Sequence, residues 1–163
     1  MNIIGIDPGL EDTGWAVLED NRNSIILKDF GLIKTKAMLD TTKRLKLIYD
    51  GIFEKILKYN VKEAAIEEMF FIGKMKTQAI SIQARGVVML ALGNLEVKVY
   101  EYNPKEIKKM ITGNGNASKN QVSNAVKITF SMKENLYPDI ADSVAIALTH
   151  IRIRKLKNKV VNL

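Results

Sequence analysis

The sequence predicts an α/β fold: a five-stranded mixed sheet, with three antiparallel strands and then parallel strands, flanked by helices. Short apolar runs separated by turn residues near the amino terminus are typical of an antiparallel meander. Later apolar runs alternate with segments of helical period, which favours parallel pairing. Two apolar runs end in carboxylates, which indicates a functional site at the carboxyl ends of the strands.

The first predicted strand is the apolar run 3–6, which Pro8 and Gly9 end because proline cannot donate to a ladder. An apolar run this short, flanked in this way, is typical of a strand buried on both faces. Asp7 lies at its carboxyl end, where a buried carboxylate is unfavourable unless a cation meets it. The alternative is that Asp7 only caps the turn.

Two more strands and a long helix are predicted next. Residues 13–18 and 25–33 are strand-like runs joined by a polar turn, so they extend the first strand into a meander. Residues 38–60 change period, and apolar side chains at three- and four-residue steps form a wide stripe that can pack on a sheet. Asn60 is the expected C-cap of this helix.

A second acidic strand end follows the helix. The run 64–66 leads directly into Glu67 and Glu68. A strand reached through a helix lies parallel to an earlier strand. If it pairs with the first strand, one of these glutamates lies beside Asp7, and the residues alone leave open which one.

The segment after the two glutamates combines aromatic and basic residues. Phe70 and Phe71 precede Lys74 and Lys76. Aromatic rings beside lysines can stack on bases while the lysines hold phosphates. The alternative is that at least one phenylalanine belongs to the core and the lysines lie on a solvated turn.

The next predicted elements are a helix at 77–95, a strand at 96–102 and a short basic helix that opens at Pro104. Gly86 lies inside the first of these. An interior glycine costs about 1 kcal/mol relative to alanine, which favours a close backbone approach by the sheet or by a second subunit.

Two further helices complete the chain. Ser118 and Gln121 form a capping-box pattern, so a helix is expected to begin at Lys119. Pro138 suits the first position of the last helix.

The last helix carries two aspartates in its first turns. Asp139 and Asp142 are three residues apart and share one face. The helix dipole favours both, which explains Asp139, but Asp142 lies among residues with a buried pattern. His150 lies about two turns further along that face, which leaves a ligand role open to it.

Composition limits the classes of function. The 163 residues suit a single domain, 1–163, with a basic C-terminal tail from about residue 152. The lack of cysteine excludes zinc ribbons and thiol nucleophiles, and the single histidine excludes a multi-histidine metal site. No apolar run is long enough to cross a bilayer and no signal-peptide pattern is present, so we expect a cytoplasmic protein without a membrane partner. The net charge of +7 favours a nucleic-acid partner, with plain solubility as the alternative.

Carboxylates from three parts of the chain indicate one kind of chemistry. Asp7, Glu67 or Glu68, and the pair Asp139 and Asp142 offer hard oxygen ligands, which select magnesium or manganese. Brought together, four carboxylates would repel one another without cations. Two metal ions about 4 Å apart would neutralise them and clamp the attacking water and leaving oxygen of a phosphodiester.

Five motifs, in order, resemble the RuvC family of Holliday junction resolvases. They are Ile4-Gly-Ile-Asp-Pro-Gly9, Arg44-Leu-Lys-Leu-Ile48, Ala65-Ile-Glu67, Gln83-Ala-Arg-Gly86 and Ala141-Asp-Ser-Val-Ala-Ile-Ala147. The resemblance extends from the first strand to about His150. It implies an RNase H-like fold, whose five-stranded mixed sheet agrees with the strands predicted above.

The resemblance also implies roles for particular residues. The family's acidic quartet falls on Asp7, Glu67, Asp139 and Asp142, and Glu67 is favoured over Glu68 because it directly follows the Ala-Ile pair. Phe70 matches an aromatic residue that the family uses at the junction crossover. Lys108 and Lys119 match basic residues linked to DNA binding and catalysis.

The implied activity is that of a Mg²⁺-dependent endodeoxyribonuclease with two Mg²⁺ per active site, for which Mn²⁺ substitutes. Its implied partners are four-way junction DNA, which a homodimer resolves by paired symmetric nicks, and a branch-migration motor complex. The alternatives are an RNase H-like nuclease acting on RNA or another branched substrate, and a non-catalytic junction-binding protein. A third alternative is a phosphotransferase, because Asp7-Pro-Gly-x-x-x-Thr-Gly14 is similar to the phosphate loop of actin-like kinases.

Overall fold

The computed structural model describes residues 1–21, 23–69 and 75–161, without the side chains of 75–78, 80 and 159–161. Five strands and five helices follow one another in the described part of the chain. They are β1 Asn2–Asp7, β2 Asp12–Asp20, β3 Ile25–Lys34, α1 Thr41–Tyr59, β4 Glu63–Glu67, α2 Met75–Asn94, β5 Lys98–Tyr102, α3 Pro104–Thr112, α4 Lys119–Thr129 and α5 Pro138–Val161.

The strands form one mixed sheet in the order β3-β2-β1-β4-β5. β1, β2 and β3 pair antiparallel, whereas β4 lies parallel to β1 and β5 lies parallel to β4. One face of the sheet packs against α3, α4 and α5, and the other packs against α1 and α2. The predicted five-stranded mixed sheet is therefore confirmed.

β1 lies at the centre of the sheet and is buried on both faces, as predicted. Ile3 packs on the side of α5, and Ile4 and Ile6 pack on the side of α1 and α2, all without exposed surface. Side chains alternate along a strand, so Asp7 leaves the sheet on the same face as Ile3. The end of β1 thus directs its carboxylate towards α5.

Two glycines in the sheet allow α5 to lie close to the site. A Cβ atom added to Gly5 would lie 2.1 Å from the backbone oxygen of Ser143, and one added to Gly14 would lie 2.1 Å from that of Asp139. Gly14 is the register partner of Asp7. Because glycine has no side chain, the first turns of α5 can pack directly over β1 and β2 at these two positions.

Gly86 does not fulfil the same role. A Cβ added there would meet no described atom within 4 Å, so the expected close approach by the sheet is wrong for the described part of the chain. The second expectation, an approach by another subunit, stays a prediction.

Local signals placed most helix ends correctly. Asn60 has the left-handed φ of 47° of a C-cap, and Ser118 and Gln121 make both bonds of the capping box. α1 begins at Thr41 rather than at residue 38, because the Asp40 side chain accepts a hydrogen bond from the backbone N–H of Lys43.

Two other boundaries differ from the prediction. α2 spans Met75–Asn94 rather than 77–95. β5 begins at Lys98 rather than 96, because Glu96 has a φ of 53° and belongs to the turn before the strand.

The basic residues after position 152 continue α5 in the described structure. Arg154 pairs with Asp20 and, at 2.9 Å, with Glu63, while Lys155 lies 2.8 Å from Asp20. These ion pairs hold the end of α5 against β2 and β4.

No helix in the described part of the chain has the length and the apolar composition that a membrane span requires.

Candidate active site

The strand ends named above meet at one edge of the sheet. Ile6 pairs with Ile66, so Asp7 and Glu67 are the next residues on two adjacent parallel strands. Ala65 packs on the same face as Ile3, and alternation then places Glu67 on the face of Asp7. Pairing and alternation together bring these two carboxylates to the same side of the sheet.

Three of the four predicted acids form a compact cluster. One carboxylate oxygen each from Asp7, Asp139 and Asp142 lies within 4.8 Å of the other two. All three side chains are partly buried. Strand β1 therefore supplies one ligand atom and a single face of α5 supplies two, which is the convergence that the sequence analysis predicted.

Glu67 lies beside this cluster rather than within it. It lines a cavity of about 190 Å³ together with Asp7 and Asp142. Glu68 does not line this cavity, and alternation along the strand turns its side chain away from the face that carries Glu67. Its backbone N–H donates to the Tyr102 backbone oxygen at 2.8 Å. The structure therefore separates the two glutamates that the residues alone could not distinguish.

Burial and neighbouring charges raise the pKa values of Asp7, Glu67 and Asp139. Burial, followed by the charges of Asp142, Asp139 and Glu67, raises the pKa of Asp7 to about 7. Burial and the charge of Asp142 raise the pKa of Glu67. Burial and the charges of Asp12 and Asp142 do the same for Asp139. Asp7, Glu67 and Asp139 thus hold a proton more firmly than isolated carboxylates do, and perturbed pKa values of this kind are typical of functional sites.

Two lysines offset part of this charge. The Lys119 Nζ donates to Asp142 Oδ2 at 2.8 Å, and this hydrogen bond is the main cause of the raised pKa of Lys119. Lys108 lines the same cavity as Glu67, and its positive charge opposes the rise in the pKa of that glutamate. The structure therefore brings Lys108 and Lys119 to the acid cluster.

Arg85 is a residue that the sequence analysis left without a role, although it lies in the motif 83–86. Its Nη1 donates to the backbone oxygen of Glu67 at 2.7 Å, and its Nη2 donates to Glu101 Oε2 at 2.5 Å. The guanidinium group thus joins α2 to the ends of β4 and β5. It holds the backbone from which the Glu67 side chain projects.

His150 is not part of the acid cluster. Its Nδ1 lies 2.6 Å from the Tyr102 hydroxyl and its Nε2 lies 2.8 Å from Glu63 Oε2, both in the interior. Burial lowers its pKa. These contacts assign the side chain to a buried polar network that joins α5 to β4 and β5, so they do not support a ligand role.

Three predicted DNA contacts fall where the structure gives no side chain. Phe70 and Lys74 lie outside the described residues, and the side chain of Lys76 does as well.

The donor set suits a hard divalent cation. Asp7, Asp139 and Asp142 offer oxygen atoms close enough to share an ion, and Glu67 lies along the same cavity. The described cluster contains neither sulfur nor imidazole, which softer metals prefer. Its mutual repulsion would be relieved by bound positive charge.

The fold and the acid cluster together define a class, that of nucleases with an RNase H-like fold. A family model described as "Crossover junction endodeoxyribonuclease RuvC" matches residues 3–150. The chain therefore belongs to the RuvC family of crossover junction endodeoxyribonucleases.

Relatives support this assignment over nearly the whole chain. The chain is 37% identical over 164 residues to the RuvC endonuclease of Clostridioides difficile, covering 100% of this chain and 97% of that protein. It is 44% identical over 153 residues to that of Treponema denticola, covering 93% and 85%.

Solved structures agree in fold. T. thermophilus RuvC in complex with a Holliday junction substrate superimposes with a TM-score of 0.89 at 29% identity, covering 96% of each chain. The fowlpox virus resolvase in complex with Holliday junction DNA shares the fold, with a TM-score of 0.59 at 18% identity, covering 93% of this chain and 99% of that one.

Proposed function

We propose that this protein is an endonuclease that resolves Holliday junctions by paired symmetric nicks during DNA recombination and repair. Family membership supports the substrate class. The observation that carries the proposal is the convergence of Asp7, Asp139 and Asp142 within 4.8 Å at the end of a buried strand. A cluster of partly desolvated carboxylates is unfavourable without cations, so its presence favours metal-dependent phosphate chemistry.

We assign the metal ligands to Asp7, Glu67, Asp139 and Asp142, with Mg²⁺ as the metal, two ions per site, and Mn²⁺ as a substitute. Bound magnesium supplies charge neutralisation and lowers the pKa of the attacking water. The chain's own contribution is to hold the Asp7, Glu67 and Asp142 carboxylates along one cavity, with an Asp139 oxygen within 4.8 Å of oxygens of Asp7 and Asp142. Water forms a bond to phosphorus and the bond to the 3′ oxygen breaks, which leaves a 5′-phosphate and a 3′-hydroxyl.

Lys108 and Lys119 are proposed to hold the phosphate. Both line the cavity that Asp7 and Glu67 share. Lys119 pairs with Asp142 in the structure, and a metal ion on that carboxylate would release the ammonium group for a phosphate oxygen. Phe70, Lys74 and Lys76 remain proposed DNA contacts. Family resemblance supports Phe70, and the position of the two lysines beside aromatic residues in the sequence supports Lys74 and Lys76.

One comparison of substrates tests the proposal. The protein is incubated with a four-way junction, an RNA–DNA hybrid and a plain duplex of matched length, each with Mg²⁺, with Mn²⁺ and with EDTA. We expect cleavage of the junction in both metals and none in EDTA. Preferred cleavage of the hybrid would instead support the alternative, an RNase H-like nuclease acting on RNA or another branched substrate.

The first prediction concerns the acid at the end of β1. Asp7→Asn should abolish nicking, by at least 1,000-fold, because it removes a charged ligand from the cluster. It should keep junction binding in a gel-shift assay, because the lysines of the cavity remain. Full cutting by this variant in magnesium would reject the assignment.

A homodimer is supported by the outer face of α2. Among the α2 residues whose side chains the structure describes, the exposed ones on this face carry no charge. They are Ala79, Ile82, Gln83, Gly86, Leu90 and Gly93. A Cβ added at Gly86 or Gly93 would meet no described atom, so a second helix has room to approach closely. Two copies related by a two-fold axis would present two active sites to the two strands that are cut.

One further partner and a location complete the proposal. A branch-migration motor complex rests on family resemblance alone. A cytoplasmic location follows from the proposed DNA substrate.

A further inference from the structure

A tyrosine and a lysine form an exposed pair at the edge of the sheet. Tyr137, directly before α5, has 61% of its surface exposed. The Lys34 ammonium at the end of β3 lies 4.7 Å from the centroid of the Tyr137 ring. A large aromatic side chain that is this exposed and rests on a cation contributes little to the core, and it leaves one ring face free.

The pair lies next to the acid cluster. Lys34 is the register partner of Asp12, and the charge of Asp12 acts on Asp139. Tyr137 precedes Asp139 by two residues, and its backbone oxygen accepts a hydrogen bond from the N–H of Ala141 at 3.0 Å. This bond anchors the backbone of Tyr137 to the first turn of the helix that carries two of the acids.

The pair occupies the side of the acid cluster opposite to the two lysines that line the cavity. Lys108 and Lys119 approach the cluster from α3 and α4, whereas Lys34 and Tyr137 approach it from β3 and the start of α5. A DNA strand that passes through an active site must leave on both sides of the cut phosphate. The lysines of the cavity serve only one of these sides.

We propose that Tyr137 and Lys34 form a stacking platform for the DNA strand on the β3 side of the cut. The free face of the ring stacks on an unpaired base near the crossover, and the ammonium group pairs with the adjoining phosphate. This inference rests on the proposed function and adds the path of the strand.

The surrounding charges fit a polyanion at this place. In the described structure the partner of the Lys34 ammonium is the Tyr137 ring rather than a carboxylate, so its charge is free for a phosphate. Lys36 is exposed two residues further along the chain. The nearby acids Glu11 and Asp12 line a cavity with Asp139, and a cation held by that proposed ligand would offset part of their charge.

The test measures junction binding by fluorescence anisotropy, with a labelled four-way junction in metal-free buffer over a series of salt concentrations. Stacking of one base is worth about 1–3 kcal/mol, so Tyr137→Ala should weaken binding by about 5- to 150-fold, whereas Tyr137→Phe should bind like the wild type. Lys34→Gln should lower the slope of log affinity against log salt by about 1.

Two control variants use other exposed positions. Ile128→Ala removes an exposed apolar side chain on α4, and Lys62→Gln removes an exposed charge just before the amino end of β4, the end away from Glu67. Both should leave affinity unchanged. In addition, 2-aminopurine placed beside the crossover should be quenched by the wild type and Tyr137→Phe, and not by Tyr137→Ala.

The outcomes separate this inference from the proposed function. If Tyr137→Ala binds the junction with wild-type affinity at every salt concentration, the platform is rejected while the nuclease proposal stands. An equal loss in Lys62→Gln and Lys34→Gln would also reject it, because the effect would then be one of net charge. A wild-type protein that neither binds nor cuts the junction would overturn both.

Discussion

At the scale of single residues, Asp7 links stability to pH. Its pKa of about 7 in the folded protein lies above the ordinary value of 3.8, so the folded state holds a proton that the unfolded state releases. Metal-free protein should therefore lose stability as pH rises from about 4 to about 7. Each pKa unit is worth about 1.4 kcal/mol, so the loss amounts to a few kcal/mol.

Asp7→Asn tests this linkage, because asparagine has no charge to bury. In EDTA the variant should be more stable than the wild type at pH 8, and the difference should shrink towards pH 5, as measured by urea unfolding. Asp50→Asn, on the exposed face of α1, is the matched control and should change stability by less than about 1 kcal/mol at either pH. A variant that is less stable than the wild type at pH 8 would contradict the claim that the buried Asp7 carboxylate destabilises the metal-free protein.

Arg85 offers a second test at this scale, because it acts on a ligand through the backbone. Arg85→Gln should lower the cleavage rate at least 10-fold and raise the Mn²⁺ concentration needed for a given rise in Tm, with junction affinity unchanged. The physical reason is the lost hydrogen bond to the Glu67 oxygen. Glu101→Gln keeps that bond and should cost less. Equal losses in both variants would show that the ion pair, and not the support of Glu67, matters.

At the scale of elements, the contact between α5 and β2 sets the position of Asp139. Gly14→Ala would place a Cβ 2.1 Å from the Asp139 backbone oxygen, so the first turn of α5 must move. We expect destabilisation of about 1–3 kcal/mol or more, together with reduced cleavage. Asn124→Ala is the control within a helix, because Asn124 is exposed in α4 and alanine there should stabilise the protein by less than about 1 kcal/mol. Thermal unfolding at equal concentration compares the two, and an unchanged Tm for Gly14→Ala would contradict the contact.

The elements also show what a sequence can predict. Patterns with a local cause were interpreted correctly: the apolar run of β1, the Asn60 cap and the capping box before α4 all depend on near neighbours. Asp7 and Asp142 stood out because a carboxylate beside buried residues is conspicuous, whereas the helix dipole alone explained Asp139. The family resemblance assigned all three to one acidic quartet, and the structure brings their carboxylates together.

Features that depend on distances between elements were not predictable. Arg85 has a role only because α2 passes near the end of β4, and no local pattern contains that distance. The residues alone left Glu67 and Glu68 as alternatives, and only the family resemblance favoured Glu67; the physical reason is strand pairing, because alternation along β4 places Glu67 on the face of Asp7. Glu96 continued the alternating pattern of a strand, and only its φ of 53° removes it from β5.

At the scale of the whole molecule, symmetric resolution needs two active sites that act on one junction. The outer face of α2 is the proposed contact, and Leu90 lies in it with 55% of its surface exposed. Leu90→Glu would place an unpaired charge in that contact, which costs far more than an exposed charge does. We expect a monomer by analytical ultracentrifugation, with single nicks in a cruciform plasmid in place of paired cuts.

A matched variant separates the interface from surface charge in general. Ile128→Glu changes an apolar residue on α4 that is 79% exposed, and it should remain dimeric and make paired cuts. In the Leu90→Glu protein each subunit keeps its acid cluster, because Asp7, Asp139 and Asp142 all come from one chain. Single nicks at a reduced rate, without paired cuts, would therefore show that α2 forms the dimer contact and that the acids of each subunit cleave DNA. Paired cutting by a Leu90→Glu dimer would instead place the dimer contact on another surface.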